Sequence, residues 1–80
     1  MPTVLRDGGC RFYFYSHEPG EPAHVHVDKG AGSVKIWLRP VSVARNVGLS
    51  AHQIAEIVRM VVDRQALLLE AWDGFFNTKG

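Results

Sequence analysis

The chain has 80 residues, of which 46% are hydrophobic and 21% are charged, and this composition excludes an intrinsically disordered protein. The length predicts one domain, residues 1–80, with a thin hydrophobic core. Nine Lys and Arg residues against eight Asp and Glu residues give a net charge of +1, and the basic residues are scattered along the chain. Composition therefore excludes a strongly basic nucleic-acid-binding protein.

The cysteine content and the apolar runs predict where the protein works. A single cysteine, Cys10, cannot form an internal disulfide bond. The start of the chain, MPTVLRDGG, lacks the basic segment and apolar run of a signal peptide. No apolar run approaches the ~18 residues that a membrane span needs. We therefore expect a soluble, cytoplasmic protein with no membrane contact.

The first predicted strand covers residues 10–16 and contains the aromatic run RFYFY. Aromatic residues favour strands, and side chains alternate between the two faces of a strand. This alternation places Phe12 and Phe14 in the core and directs Tyr13 and Tyr15 to the opposite face.

The next two predicted strands, 23–28 and 33–39, are joined by the turn sequence KGAG and form a hairpin. Pairing Val27 with Val34 gathers the apolar residues of both strands on one face, so we expect this register. His26 then lies opposite Lys35, and His24 lies opposite Trp37 on the other face.

After Pro40 we expect a short edge strand at 41–44 and then a helix at 51–72. Ser50 and Gln53 match a capping box at its start, and Asp73 and Gly74 are expected to end it. The predicted fold class is α+β, a small antiparallel sheet of three or four strands packed against one long C-terminal helix.

Three helical residues depart from the amphipathic pattern. Gln65 projects into the apolar face, where we expect its amide to reach a strand carbonyl, because an unpaired buried amide is unfavourable. Met60 and Leu67 lie a heptad apart beside the polar face. They are either ordinary exposed apolar residues or a stripe that binds a partner, including a second copy of the chain.

The segment 16–28, SHEPGEPAHVHVD, contains three of the four histidines. His24 and His26 are two residues apart on a strand and point the same way, so one metal ion could bind both imidazoles. A third ligand would come from a nearby group, namely His17, Glu18, Glu21 or Asp28. Because an H-x-H pattern alone is a weak signal, we expect no cofactor and keep zinc bound by His24 and His26 as an alternative.

A catalytic interpretation of the same segment needs an acid or base, a group that orients it and a cation. His24 or His26 could supply the first, Glu21 or Asp28 the second and Lys35 the third. These residue types favour metal-independent cleavage of RNA, whose 2′-hydroxyl is an internal nucleophile.

A binding interpretation uses the whole face of the sheet opposite the helix. Aromatic rings on this face would stack on RNA bases or contact a protein partner. The alternative is that the rings pack on one another, as cross-strand aromatic pairs do. The proposed surface consists of Tyr13, Tyr15, His24, His26 and Trp37, with Arg11 and Lys35 at its edges.

Five segments of the chain resemble a bacterial family catalogued as domain of unknown function 4160, and the resemblance spans nearly the whole chain. The segments are MPTV, RFYFYS, EPAHVHV, VKIWLRPVSVARNVGLS and LLLEAWDGFF. The most specific pieces are the E-P-x-H-x-H-V segment, from Glu21 to Val27, and W-L-x-P-V-x-x-A-R-N, from Trp37 to Asn46. His17 and Ala23 depart from the family pattern, which has an asparagine-like residue and a proline at these positions.

The resemblance implies a partner. Members of this family are frequently encoded beside a second small domain of unknown function, catalogued as 2442, and the pair has been proposed as a toxin and antitoxin. Our leading hypothesis is therefore a component of a toxin–antitoxin-like two-protein module that acts by binding its partner or RNA. A ribonuclease and a divalent-metal-binding accessory protein are the alternatives.

Overall fold

The computed structural model describes residues 3–15 and 20–76 of the chain, and their fold is α+β. Five antiparallel strands lie in one sheet in the order β1-β2-β3-β4-β5, and two helices follow. The elements are β1 (Thr3–Asp7), β2 (Cys10–Tyr13), β3 (His24–Lys29), β4 (Gly32–Leu38), β5 (Val41–Val47), α1 (Ala51–Asp63) and α2 (Gln65–Phe76).

The prediction of three or four strands was wrong, because β1 adds a fifth. β1 is short and pairs with β2 through Asp7 and Cys10, with only Gly8 and Gly9 between them. Both glycines have positive φ, at 57° and 79°, and a tight hairpin with a type I′ turn requires positive φ at both central positions. The sequence DGG carried this hairpin signal, whereas TVLRD lacks a clear hydrophobic alternation.

The predicted hairpin between β3 and β4 is confirmed in register. Val27 pairs with Val34, and His26 pairs with Lys35. The apolar residues of both strands consequently lie on the face that packs against the helices. The core on that face contains Phe12, Phe14, Val25, Val27, Val34, Ile36 and Leu38 from the strands, and Ile57, Val61, Leu68 and Trp72 from the helices. We call the opposite side of the sheet the outer face.

The capping box at the start of α1 is also confirmed. The Ser50 hydroxyl accepts a hydrogen bond from the backbone N–H of Gln53 at 3.1 Å. The Gln53 side chain in turn accepts one from the backbone N–H of Ser50 at 2.9 Å. These two bonds satisfy N–H groups that have no partner within the helix, so the sequence determines where α1 begins.

The prediction of one long helix was wrong, because the helix is interrupted at Arg64. The Arg64 guanidinium contacts the Asp7 carboxylate of β1 and donates to the carbonyl of Met60 at 3.4 Å. The break therefore coincides with an attachment to the first strand, and no Gly or Pro marks it in the sequence. Immediately after it, Gln65 donates to the carbonyl of Leu38 at 2.6 Å, as predicted.

The predicted helix end at Asp73 and Gly74 was wrong as well, since α2 continues to Phe76. Trp72 and Phe76 are four residues apart and therefore lie on the same side of a helix. Their ring centroids are 4.1 Å apart, and Phe14 contacts both rings. This aromatic packing favours an additional helical turn.

No helix within the described residues is long and apolar enough to cross a membrane.

Candidate functional site

A row of four side chains crosses the outer face of the sheet. The register places Tyr13 beside His26, His26 beside Lys35, and Lys35 beside Arg45. Residues directly opposite each other on neighbouring antiparallel strands point to the same face. A phenol, an imidazole, an ammonium group and a guanidinium group therefore follow one another across β2 to β5.

The rings at one end of this row form a packed cluster. The ring centroids of Tyr13 and His26 are 5.5 Å apart, and those of Tyr15 and His26 are 4.0 Å apart. Tyr13 is 5% exposed and His26 is 8% exposed, whereas Tyr15 is half-buried. The rings thus pack on one another, and Tyr15 contributes the more exposed surface of the cluster.

His24 is fully buried, although it precedes His26 by two residues on the same strand. Its Nδ1 lies 2.9 Å from the carbonyl oxygen of Pro22, and because a carbonyl can only accept, Nδ1 carries the proton in this bond. Trp37 and Trp72 contact its ring at centroid distances of 5.6 Å and 4.9 Å. These contacts favour a structural role for His24, which holds the turn before β3 against the two tryptophans.

Tyr13 also connects the ring cluster to a charged pair. Its hydroxyl donates to a carboxylate oxygen of Asp28 at 2.9 Å, and Asp28 lies 3.7 Å from the guanidinium of Arg11. The Arg11 guanidinium is 4.5 Å from the centroid of the Tyr13 ring. Burial and then the bond to Asp28 raise the pKa of Tyr13 well above its ordinary value, so its hydroxyl remains a donor.

Lys35 is held in place by two neighbours. Its Nζ lies 2.5 Å from Oε1 of Glu21 and 4.7 Å from the centroid of the Trp37 ring. The ammonium group therefore has a carboxylate partner and a cation–π contact at the same time. Lys35 is consequently fixed beside Trp37, and its charge is largely balanced by Glu21.

These side chains surround a groove of about 490 Å³ on the outer face. The ring cluster lines it from the side of β2 and β3, Ser33, Lys35 and Trp37 line it from β4, and Arg45 and its neighbours line it from β5. The lining thus includes both aromatic and cationic groups. The lining residues are Tyr13, Tyr15, His26, Ser33, Val34, Lys35, Trp37, Ala44, Arg45 and Val47.

Arg45 is the charged groove residue that the candidate set from the sequence did not contain. In a regular strand Val43 and Arg45 would share a face, because they are two residues apart. Here Val43 pairs with the core residue Ile36, whereas Arg45 pairs with Lys35, so a bulge leaves Ala44 unpaired between them. Bulges re-aim side chains in this way, and periodicity alone could not reveal it.

The four residues of the catalytic interpretation lie close together. His26 is directly opposite Lys35, Glu21 binds Lys35, and Nδ1 of His24 is 3.8 Å from Glu21. The described residues contain no group of three metal-binding side chains. His17, one of the ligand candidates, lies outside the described residues, as does Glu18, so the zinc alternative stays a prediction.

The helix break at Arg64 lies between Met60 and Leu67, and the stripe that they would form for a partner stays a prediction. Met60 in α1 is partly buried and packs against the core. Leu67 in α2 is 54% exposed. Neither residue lines the groove, so a partner that contacts them would bind a different surface of the protein.

These observations define a small α+β protein with helices on one face of its sheet and an aromatic, cationic groove on the other. The chain belongs to the family described as domain of unknown function DUF4160, whose family model matches residues 9–73. The matched region contains all of the lining residues. No curated protein matches the chain, and no solved structure matches it.

Proposed function

We propose that the protein is a cytoplasmic RNA-binding component of a toxin–antitoxin-like two-protein module, and that single-stranded RNA binds in the groove on the outer face. The row of Tyr13, His26, Lys35 and Arg45 carries the RNA part of the proposal. The resemblance of the chain to its family supports the module part and implies a small protein partner encoded nearby.

The chemistry of the groove suits an unpaired strand of RNA. Tyr15 and Trp37 supply rings on which any base can stack, and both line the groove. Arg45 and Lys35 supply cations for the phosphates that adjoin such a base. The bases of a duplex are stacked inside the helix and could not reach these rings, so a single strand is the better ligand.

Titration of a fluorescently labelled oligoribonucleotide tests this proposal. Replacement of Trp37 by Ala should weaken binding by roughly 1–3 kcal/mol, the value of one base stacked on an aromatic side chain. Phe75→Ala is the matched control, because Phe75 is 39% exposed and belongs to α2. The proposal fails if the wild type does not bind, or if folded Trp37→Ala protein binds as tightly as the control.

The module part has its own test. The product of the adjacent gene is expressed together with the tagged chain, and the complex is analysed by size-exclusion chromatography. We expect the two proteins to elute together in a fixed ratio. Separate elution at micromolar concentrations would contradict the two-protein module. It would not affect the RNA-binding proposal, which the oligoribonucleotide titration tests.

The pairing of His26 with Lys35 supports a second candidate, a metal-independent ribonuclease. His26 would accept the proton of the 2′-hydroxyl as that oxygen attacks the adjacent phosphorus, and Lys35 would stabilise the charge that develops. The bond from phosphorus to the 5′-oxygen would break as the new bond forms, and the departing 5′-oxygen would take a proton from water, which leaves a 2′,3′-cyclic phosphate. Glu21 would position Lys35, and buried His24 would support the strand. RNA incubated with chelator and the wild type should then be cleaved, and cleavage should be lost in His26→Ala. Intact RNA in both reactions excludes this candidate.

A further inference from the structure

We propose that the groove is a single-nucleotide site, which takes one unpaired nucleotide with its base against the aromatic lining residues and an adjoining phosphate on Arg45. This inference rests on the proposed RNA-binding function and specifies the ligand of the same site. Two binding modes are thereby distinguished. An extended surface would contact several consecutive nucleotides of a strand, whereas this site would bind one of them.

The size of the groove supports one nucleotide. Its volume of about 490 Å³ lies in the range of roughly 300–1,000 Å³ that is typical of small-molecule sites. The lining residues come from β4, from the facing parts of β2, β3 and β5, and from Tyr15 just beyond β2. The β1 strand contributes none of them, so the groove does not continue across the whole sheet.

The charges in the groove support one phosphate. Lys35 is already bound to Glu21, so a phosphate that used Lys35 would have to compete with that carboxylate. Among the described residues, no carboxylate forms an ion pair with Arg45. Arg45 can therefore bind a phosphate without breaking an ion pair within the described part of the chain, and its planar guanidinium suits two hydrogen bonds to phosphate oxygens.

A bulge in the backbone of β5 directs the Arg45 guanidinium toward the groove. Without the bulge at Ala44, Arg45 would share the face of Val43, which pairs with the core residue Ile36. The bulge turns Arg45 to the outer face and places it opposite Lys35. The bulge thus interrupts the regular pairing of β5 and, at the same position, adds a cationic side chain to the groove.

Competition with mononucleotides tests the inference. Adenosine 3′,5′-bisphosphate and adenosine are each used to displace a labelled oligoribonucleotide from the wild type, Arg45→Ala and Arg59→Ala. Arg59 is the matched control, because it is an exposed arginine on α1. The bisphosphate should compete about tenfold or more better than adenosine, the gain expected from charge-assisted hydrogen bonds. Arg45→Ala should remove this difference, and Arg59→Ala should keep it.

Two results would overturn the single-nucleotide site while leaving RNA binding intact. In the first, the oligonucleotide binds but the bisphosphate fails to displace it even in large excess. In the second, folded Arg45→Ala protein discriminates between the two competitors as well as Arg59→Ala does. Failure of the oligonucleotide to bind the wild type would overturn both the inference and the proposed function.

Discussion

Tyr13 joins the ring cluster to the ion pair of Arg11 and Asp28, and its hydroxyl supplies a pH-dependent contribution to stability. The pKa of Tyr13 is raised from an ordinary value of 10.0, first by burial and then by the bond to Asp28. The folded protein therefore keeps this proton at a pH where the unfolded chain has begun to release it. The contribution is complete below pH 10.0 and is lost as pH rises above that value.

In Tyr13→Phe, the free energy of unfolding should therefore decrease less steeply with rising pH in alkaline solution than it does in the wild type. We expect the variant to be less stable by about 1 kcal/mol at neutral pH, because it lacks the bond to Asp28. Above pH 10.0 the difference between the two proteins should shrink. Urea unfolding at a series of pH values measures both curves. The lysines are the same in both proteins, so their titration changes both curves equally. Curves that stay parallel into the alkaline range would therefore contradict the assignment of a pH-dependent contribution to the Tyr13 hydroxyl.

Glu21 acts on the groove through Lys35, and its effect on RNA binding has a predicted sign. Glu21→Gln removes the carboxylate that balances Lys35, so the ammonium group becomes available to a phosphate. Affinity for the labelled oligonucleotide should rise about two- to fivefold, in line with the strength of exposed ion pairs. Binding is measured by fluorescence anisotropy at low salt, where such contacts are least screened.

Glu56→Gln is the control for this substitution. Glu56 lies on α1 and pairs with Lys29 at 3.9 Å, so its removal changes the net charge equally without touching the groove. Equal gains in affinity for both variants would attribute the effect to net charge. A loss of affinity in Glu21→Gln would mean that Lys35 binds RNA only while Glu21 holds it.

Among the elements, α2 is attached to the sheet by a side-chain hydrogen bond at its first residue. Gln65 donates to the carbonyl of Leu38, and the Leu38 side chain is fully buried. Gln65→Ala removes the donor and should lower the free energy of unfolding by about 1–3 kcal/mol. Chemical denaturation checks this value against Leu67→Ala, whose exposed side chain should change stability by less than about 0.5 kcal/mol. Similar values for both variants would contradict the prediction.

The sequence predicted elements whose signals are local and failed where distant residues decide the structure. Alternating valines determined the pairing of β3 with β4, and Ser50 with Gln53 determined the start of α1. The break at Arg64 coincides with a contact to Asp7, which is 57 residues away, and no local pattern encodes such a contact. The strand-like run that precedes the DGG turn was too short and too polar to predict β1.

The candidate site shows the same division. Alternation correctly assigned Tyr13, His26 and Lys35 to one face, because the strands that carry them are regular there. It could not assign Arg45, since the bulge at Ala44 reverses the alternation. Nor could it show that His24 is fully buried, because Trp72 reaches it from the second helix.

In the molecule as a whole, the hydrophobic core and the groove lie on opposite faces of a single sheet. The helices complete the core on one face, and the outer face keeps the aromatic and cationic residues of the groove. A net charge of +1 provides little long-range attraction for RNA. In the proposed function, affinity for RNA therefore comes from local stacking and from phosphate contacts in the groove.

Mapping of amide chemical shifts by two-dimensional NMR during titration with a short oligoribonucleotide tests this account most directly. We predict that the largest changes occur at His26, Lys35, Trp37 and Arg45, and that α1 and α2 change little. Changes concentrated on the helices, or no changes at saturating oligonucleotide, would contradict the assignment of RNA binding to the outer face.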